Sequence, residues 1–167
     1  MSIAVRPAAP ADAALVLSLV RELAEYERLA HEAVATSQMI GQALFCQSPR
    51  VFCDIAECDG EPAGFALWFY SFSTFAGLHG IYLEDLFVRP AARGRGLGKA
   101  LLAGLAQRCQ REGLARLEWS VLDWNAPSIA FYKAQGAAMV DGWTKCRVDG
   151  AALVRLGGFG RSSDSFV

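Results

Sequence analysis

The chain has 167 residues, of which 53% are hydrophobic and 20% are charged, and its formal net charge is −1 from 16 basic and 17 acidic side chains. This composition excludes a disordered chain and predicts a globular protein with a core of its own. The balanced charge excludes a protein-wide field for nucleic acid or an acidic membrane surface, so we expect neither as a partner. Specificity for a charged ligand must therefore come from local clusters.

Hydrophobic periodicity and turn residues predict alternating strands and helices. In chain order these are a strand at 3–6, a helix from its cap Asp12 to Tyr26, a helix at 36–45, strands at 50–58, 63–70 and 80–88, a helix at 97–112, a strand at 115–121, a helix at 126–135 with Asn125 as its cap, and two strands after 137 that are joined at 149–150. We predict the α/β class, one domain over residues 1–156 and a flexible tail at 157–167.

One long stretch, residues 62–83, carries no charged side chain and is long enough to cross a membrane as a helix. Gly, Ser, Thr and His residues interrupt it, and its aromatic residues are typical of strands. We therefore predict two buried strands with a turn between them rather than a membrane span.

The cysteines and the amino-terminal sequence bear on the compartment. The chain opens without a basic region followed by an apolar run, and its cysteines form no CxxC pair. We therefore expect a reducing cytoplasm in which the cysteines are buried as small hydrophobic side chains. His31 and His79 lie in no metal-ligand motif, so no metal is expected. The five cysteines are Cys46, Cys53, Cys58, Cys109 and Cys146.

Three alternating glycines lie between a predicted strand and a predicted helix, an arrangement that suits an anion because the backbone and the first helical N–H groups can approach it. The dinucleotide motif GxGxxG fails, since Lys99 occupies its third glycine position. The nucleotide motif GxxxxGK[ST] also fails, since Arg93 replaces its first glycine and Ala100 replaces its metal-binding hydroxyl. The motif that remains is RxxGxG, with a simple tight turn as the alternative interpretation. The glycines are Gly94, Gly96 and Gly98.

This loop resembles the pyrophosphate loop of the GNAT superfamily of N-acetyltransferases, and the resemblance extends from Ile3 to about Leu156. Three segments are similar to its diamine branch, of spermidine/spermine or thialysine type: ELAEYE at 22–27, YLEDLFV at 82–88 and WNAPSIAFYK at 124–133. The resemblance implies an acetyl-CoA-dependent N-acetyltransferase with the GNAT fold, a mixed sheet of about seven strands flanked by about four helices. It also implies a homodimer with its acceptor site near the subunit interface.

The same resemblance implies residue roles. The strand before the loop pairs with the pantetheine arm of acetyl-CoA, the loop holds the pyrophosphate, and the start of the helix at 126–135 contacts the arm from the other side. The implied cofactor-binding residues are Leu86, Phe87, Val88, Arg93, Gly94, Arg95, Gly96, Leu97, Gly98, Lys99, Asn125, Pro127 and Ser128. The implied acceptor-binding residues are Tyr26, Glu27, Glu84, Glu118 and Trp119.

Acetyl transfer to a primary amine needs a base, because an amine with a pKa of about 10.4 is protonated at pH 7. Glu84 is our candidate, since a carboxylate within a strand is costly unless it has a function or a partner. Alternation along the strand places Asp85 on the opposite face. The alternative is that Glu84 only pairs with a basic residue across the sheet. Tyr132 is the candidate acid for the leaving thiolate, since a phenol stays protonated near pH 7.

The acceptor is less well defined. Acidic residues at the end of the first helix predict a rim that attracts a cationic amine, although a solvated helix face with Arg21 and Arg28 interleaved is the alternative. The 73–76 loop lacks the acidic residue and the tryptophan of the diamine branch, so a smaller diamine or a lysine-like amine is as well supported as a polyamine. The acidic residues are Glu22, Glu25, Glu27 and Glu32.

Three competing hypotheses remain open. The first is an acyl-cysteine intermediate in place of direct transfer within a ternary complex. The second is a protein or peptide amine as the acceptor. The third is an acyl-CoA-binding sensor without catalysis, which the presence of both Glu84 and Tyr132 argues against.

Overall fold

A computed structural model describes residues 1–159. The strands are β1 (Ile3–Pro7), β2 (Phe52–Cys58), β3 (Glu61–Ser73), β4 (Leu78–Val88) and β5 (Leu117–Trp119). The helices are α1 (Ala13–Tyr26), α2 (Ser37–Phe45), α3 (Leu97–Glu112), α4 (Ala126–Ala134) and α5 (Gly150–Gly157). The chain forms two compact units, the first ending at Ile129 and the second beginning at Ala130. The prediction of one domain over 1–156 stays a prediction.

The first unit contains a single mixed sheet with the strand order β1-β2-β3-β4-β5. Strands β1 to β4 pair antiparallel, and β5 pairs parallel to β4. The parallel pair requires a crossover, which α3 supplies as predicted. The Asp59–Gly60 turn has positive φ at both residues, the geometry of a tight hairpin between β2 and β3.

The uncharged stretch at 62–83 forms β3 and the start of β4, as predicted. Among residues 1–159, no helix is long and apolar enough to cross a membrane.

The core beside α1 is built from side chains at helical spacing on α1 and alternating side chains of the central strands. Val16, Leu19 and Leu23 of α1 pack with Phe65 of β3 and Phe87 of β4. This packing fixes the carboxyl end of α1 against the middle of the sheet. The predicted cap Asp12 is wrong in its detail, because its carboxylate accepts hydrogen bonds from its neighbours before the helix instead of from α1.

Helix α3 begins after Gly96 and ends at Gly113, and both glycines have positive φ. Its buried residues include Leu101, Leu105 and Cys109, the face that the sequence predicts. Helix α2 begins as predicted, because the Thr36 hydroxyl accepts a hydrogen bond from the Met39 N–H at 3.2 Å.

The predicted strands after residue 137 are wrong for the described part of the chain. Residues 138–149 form no strand there, and the Asp149–Gly150 pair begins α5 instead of a hairpin turn. The residues after Gly150 include Ala151, Ala152 and Leu153, which are strong helix formers. The described residues therefore hold five strands and five α-helices, although the predicted α/β class is confirmed. Most of the predicted tail, residues 160–167, lies outside the described range.

Candidate active site

Strand β4 is paired on both sides in its first half and on one side in its second half. Its pairing with β3 extends from Leu78 to Val88, whereas its pairing with β5 covers only Ile81 to Leu83. Within the described residues, no strand pairs with the β5-facing edge beyond Leu83. No strand in the described part of the chain therefore covers this edge beside the residues predicted to bind the pantetheine arm, Leu86, Phe87 and Val88, and the Val88 carbonyl there accepts a hydrogen bond from a side chain, Arg93.

A β-bulge marks the point where the two halves of β4 meet. Leu83 lies opposite Trp68 and Asp85 lies opposite Leu67, so Glu84 is an extra residue without a partner on β3. A bulge interrupts the alternation from which Glu84 and Asp85 are expected on opposite faces, so that placement stays a prediction. Leu83 and Leu86 pair with residues two apart on β3 and so share one face, whereas Asp85 pairs with Leu67 and lies on the other face.

The two adjacent carboxylates have different surroundings. Glu84 is exposed, so the argument that burial makes it costly does not hold for it. Asp85 is half-buried, and its pKa is raised to about 6 by burial, then by the negative charges of Glu84 and Glu27. The costly carboxylate is therefore Asp85, which the sequence reasoning did not select.

The carboxyl end of α1 supplies the third carboxylate of this group. Glu27 is half-buried, and burial raises its pKa. Its neighbour Tyr26 donates a hydrogen bond to Asn125 Oδ1 at 3.1 Å. Asn125 is buried, and the same oxygen accepts from the Ser128 N–H at 3.3 Å, so Asn125 caps the start of α4 as predicted and also ties it to α1.

The glycine loop has the backbone expected of an anion site. Gly94 and Gly96 have φ of 75° and 93°, the left-handed region that favours glycine. The first intrahelical bond of α3 is donated by Ala100 to the Gly96 carbonyl, so the N–H groups of Leu97, Gly98 and Lys99 begin the helix without helical partners. The exposed cations of this region are Arg93, Arg95 and Lys99.

Arg93 links the loop to the open edge of β4. Its Nε donates to the Val88 carbonyl at 2.9 Å, and its guanidinium Cζ lies 4.6 Å from the ring centre of Tyr26. It also lies 5.8 Å from the ring centre of Phe87. The structure therefore brings the loop, the second half of β4 and the end of α1 together, as the sequence predicts.

Other predicted residues have different neighbours. Glu118 Oε2 accepts a hydrogen bond from Arg116 Nε at 2.7 Å and lies opposite Tyr82, beside the paired half of β4. Trp119 lies opposite Leu83, directly before the bulge. Glu22 forms a salt bridge with Arg89 at 2.7 Å, so this member of the predicted acidic rim has a structural partner.

Tyr132 lies in α4 and belongs to the second unit. Its side chain is buried, its ring packs against that of Phe131 with centres 5.3 Å apart, and its carbonyl accepts from the Ala137 N–H. Pro127, in the first turn of α4, is exposed.

The cysteines fulfil the prediction of burial only in part. Cys53, Cys58 and Cys109 are buried, whereas Cys46 and Cys146 are exposed, and all five are free thiols. The fold brings two of them closer to the site than the sequence indicates. Asp85 is among the charges that raise the pKa of Cys53, and Arg95 of the loop donates to Cys58 Sγ at 3.8 Å.

A separate cavity of about 150 Å³ lies beside the start of β2, where the ends of β1 and α2, the middle of β3 and the last part of α3 also line it. Its lining includes Asp54, Trp68 and Arg108, and no residue of the predicted site. Among residues 1–159, no group of three or more His, Cys, Asp or Glu side chains is arranged to hold a metal ion.

Comparisons with known proteins decide the family. The family model described as "Acetyltransferase (GNAT) family" matches residues 18–137. The chain belongs to the GNAT family of acetyltransferases. It is 35% identical over 165 residues to a thialysine N-epsilon-acetyltransferase of Bos taurus, with 92% of this chain and 96% of that protein covered. An L-ornithine N5-acetyltransferase of Arabidopsis thaliana is 30% identical, with 89% and 85% covered.

The solved structures agree with this membership. An integron cassette protein of V. cholerae superposes on this GNAT chain with a TM-score of 0.78 and 26% identity, covering 94% of this chain and 98% of its own. The predicted family, its branch and the GNAT fold are therefore confirmed, as is the prediction that the chain is an N-acetyltransferase. The expected seven strands and four helices differ from the five and five of the described residues.

Proposed function

We propose that this GNAT enzyme transfers an acetyl group from acetyl-CoA to the primary amine of a small molecule, a diamine, a polyamine or a lysine-like amine, by direct attack in a ternary complex. The observation that carries the proposal is the group of three carboxylates, Glu27, Glu84 and Asp85, beside the unpaired edge of β4. Two relatives are named for the acetylation of thialysine and of ornithine, and these names support a small-molecule amine as the acceptor.

The site fits acetyl-CoA in two independent features. The unpaired edge from Leu86 to Val88 can pair with an amide-bearing arm in the manner of an added strand. The glycine loop and the first N–H groups of α3 suit a pyrophosphate, and Arg93, Arg95 and Lys99 add positive charge. When bound there, acetyl-CoA supplies the thioester carbonyl that the amine attacks.

Asp85 and Glu27 bind the cationic acceptor in this proposal. Both are half-buried, burial raises the pKa of both, and no cation is hydrogen-bonded or ion-paired with either among the described residues. An ammonium group placed between them would relieve the cost of their charges. With a pKa of about 6, Asp85 is mostly ionised at pH 7 and so is ready to bind the cation.

Glu84 takes the proton from the bound ammonium, directly or through a water molecule. Its exposure connects it to solvent, so the proton can leave once the transfer is complete. The amine nitrogen then bonds to the thioester carbon, the carbon–sulfur bond breaks, and Tyr132 donates a proton to the departing sulfur, so that CoA leaves as a thiol. The second proton, which the nitrogen loses as the amide forms, returns to the Tyr132 phenolate through solvent. Each step leaves the protein side chains unacylated.

The surroundings of Cys53, a cysteine close enough to Asp85 to be affected by its charge, argue against the rival acyl-cysteine route. Burial and neighbouring carboxylates raise the pKa of Cys53 to about 12. Because the thiolate is the nucleophile, a thiol with such a pKa reacts poorly at pH 7. Direct transfer needs no cysteine and is therefore our preferred mechanism. The five free thiols also support a reducing compartment such as the cytoplasm.

We further propose that the enzyme is a homodimer with its acceptor site near the subunit interface. The support lies in the second unit, where Met139, Val140, Trp143 and Val148 are exposed in a segment without regular structure. Such an apolar segment suits pairing with a second copy. The wild type should have the mass of a dimer by light scattering, and Trp143→Ser should shift that mass toward the monomer. A wild type with the mass of a monomer would contradict the proposal.

The central test is release of free thiol from acetyl-CoA in the presence of diamines, lysine analogues and basic peptides. We expect small primary amines to accelerate release and peptides to leave it near the background rate. Acceleration by peptides alone would favour a protein acceptor. Binding of acetyl-CoA without release for any amine would favour a sensor and contradict the enzyme.

A further inference from the structure

Arg28 follows the acceptor residues Tyr26 and Glu27 and has an unusual backbone. It has φ of 64°, the left-handed region that residues with a Cβ rarely adopt. Its N–H donates to the Glu25 carbonyl, and the next N–H, of Leu29, donates to the Ala24 carbonyl. These two bonds form the helix-ending arrangement in which glycine is the usual residue at the position of Arg28.

The Arg28 side chain at this position has no ionic partner among the described residues. Within the described residues, Arg28 makes no ion pair and no side-chain hydrogen bond, and its guanidinium Cζ lies 5.4 Å from the ring centre of Trp124. Trp124 in turn lies 6.2 Å from the ring of Tyr26, centre to centre. The guanidinium is therefore held over an aromatic face beside the acceptor site, with its N–H donors available.

The charges at this end of α1 are separated by sign. Glu27 and Asp85 are half-buried and close enough for the charge of Glu27 to raise the pKa of Asp85, whereas Arg28 is exposed. A diamine has no group that would use a cation at the rim, and the positive charge would repel its second ammonium. An amino acid with a side-chain amine has an α-carboxylate at the opposite end from the reacting nitrogen, and arginine binds carboxylates with paired hydrogen bonds.

We propose that Arg28 is a specificity-determining residue that binds the α-carboxylate of the acceptor, so that the preferred substrate is a diamino acid rather than the corresponding diamine. This inference rests on the proposed function and narrows its substrate class. Thialysine and ornithine, after which two relatives are named, both carry such a carboxylate.

The test compares thialysine with its decarboxylated diamine, which keeps the same reacting amine. We expect the wild-type kcat/KM to be at least tenfold higher for thialysine. In Arg28→Gly this preference should fall by about tenfold or more, chiefly through a higher KM for thialysine, while Arg28→Lys keeps part of it. Glycine suits the backbone here, so the variant should fold and its Tm should not fall.

Arg21→Ala is the matched control, because it removes an exposed arginine from the same helix and should leave the preference unchanged. If Arg28→Gly lowers kcat/KM equally for both substrates, or leaves the preference for thialysine unchanged, the inference is overturned while the proposed function stands. A wild-type enzyme that acetylates neither amine would overturn the proposed function and this inference together.

Discussion

The two halves of β4 differ in what surrounds them. From Leu78 to Leu83 the strand is paired with β3, and from Ile81 to Leu83 it is also paired with β5; Ile81 and Leu83 are fully buried. From Glu84 to Val88 it is paired on β3 alone, it begins with a bulge, and its first two side chains are carboxylates. In the proposed mechanism the paired half is a scaffold, and the open half offers backbone and charge to the ligands.

The difference explains why two adjacent acidic residues can have different functions. The bulge removes Glu84 from the ladder and leaves it exposed, while Asp85 remains in register with Leu67 and half-buried. The exposed carboxylate can exchange protons with solvent, and the half-buried one is better suited to hold a cation.

Glu84→Gln should have the largest effect on catalysis. We expect kcat at pH 7 to fall about 100-fold or more, because the amine keeps its proton without a base. The loss should shrink toward pH 10, where a much larger fraction of the amine is unprotonated. Steady-state kinetics across this pH range measure it. Tyr82→Phe, in the paired half, is the control: it removes only the hydrogen bond to Ser120, and an equal loss there would contradict a special role for the open half.

Tyr132→Phe should lower kcat by roughly 10- to 100-fold, since the phenol no longer protonates the leaving sulfur. The affinity for acetyl-CoA, measured by calorimetry, should change little. A smaller effect is expected with a thioester whose thiol has a lower pKa, because that leaving group needs less protonation. An equal loss with both thioesters would argue that Tyr132 is only structural.

Gly96→Ala should weaken the binding of acetyl-CoA by roughly tenfold, because a Cβ at φ of 93° strains the loop that opens α3. Gly104→Ala is the matched control within the same helix. Nothing lies within 4 Å of a Cβ added at Gly104, so this variant should bind normally and be more stable by about 0.5–1 kcal/mol. Equal binding of acetyl-CoA by both variants would count against the loop as its site.

Asp85→Asn should stabilise the fold at neutral pH. The pKa of Asp85 is raised to about 6, so its ionised form is disfavoured in the folded protein, and the cost grows as pH rises from the ordinary value near 4 through 6. Removing the charge should add about 1–2 kcal/mol to the free energy of unfolding at pH 7. The gain should vanish near pH 4, which denaturant titrations at both pH values can measure.

The sequence predicts the parts of the site that depend on local pattern. The glycines of the loop, the cap Asn125 and the hairpin Asp59–Gly60 are visible because each requires a particular residue type at one place. The bulge is different, since it depends on the register between β3 and β4. Without that register, the position of Glu84 in the middle of a strand makes it the costly carboxylate, although in the fold Asp85 is the more buried of the two.

The strands predicted after residue 137 fail for a related reason. Apolar residues such as Val148 and Val154 indicate β-structure by composition, but strand formation needs a partner edge, and none pairs with them among the described residues. Without a strand partner, the helix propensity of the residues after Gly150 determines the local structure, and they form α5. The signal that would have identified Arg28 was present, because the sequence has arginine where the end of α1 would normally carry glycine.

The most direct test of the division between Glu84 and Asp85 is the KM for the amine from pH 5 to 8 in the wild type and in Asp85→Asn. We predict that the wild-type KM is constant above pH 7 and rises below about pH 6, as Asp85 becomes protonated and loses its charge. The variant should have a KM about tenfold higher or more at pH 7 and little further dependence on pH, with kcat much less affected. A variant with an unchanged KM and a kcat reduced as far as in Glu84→Gln would contradict the account.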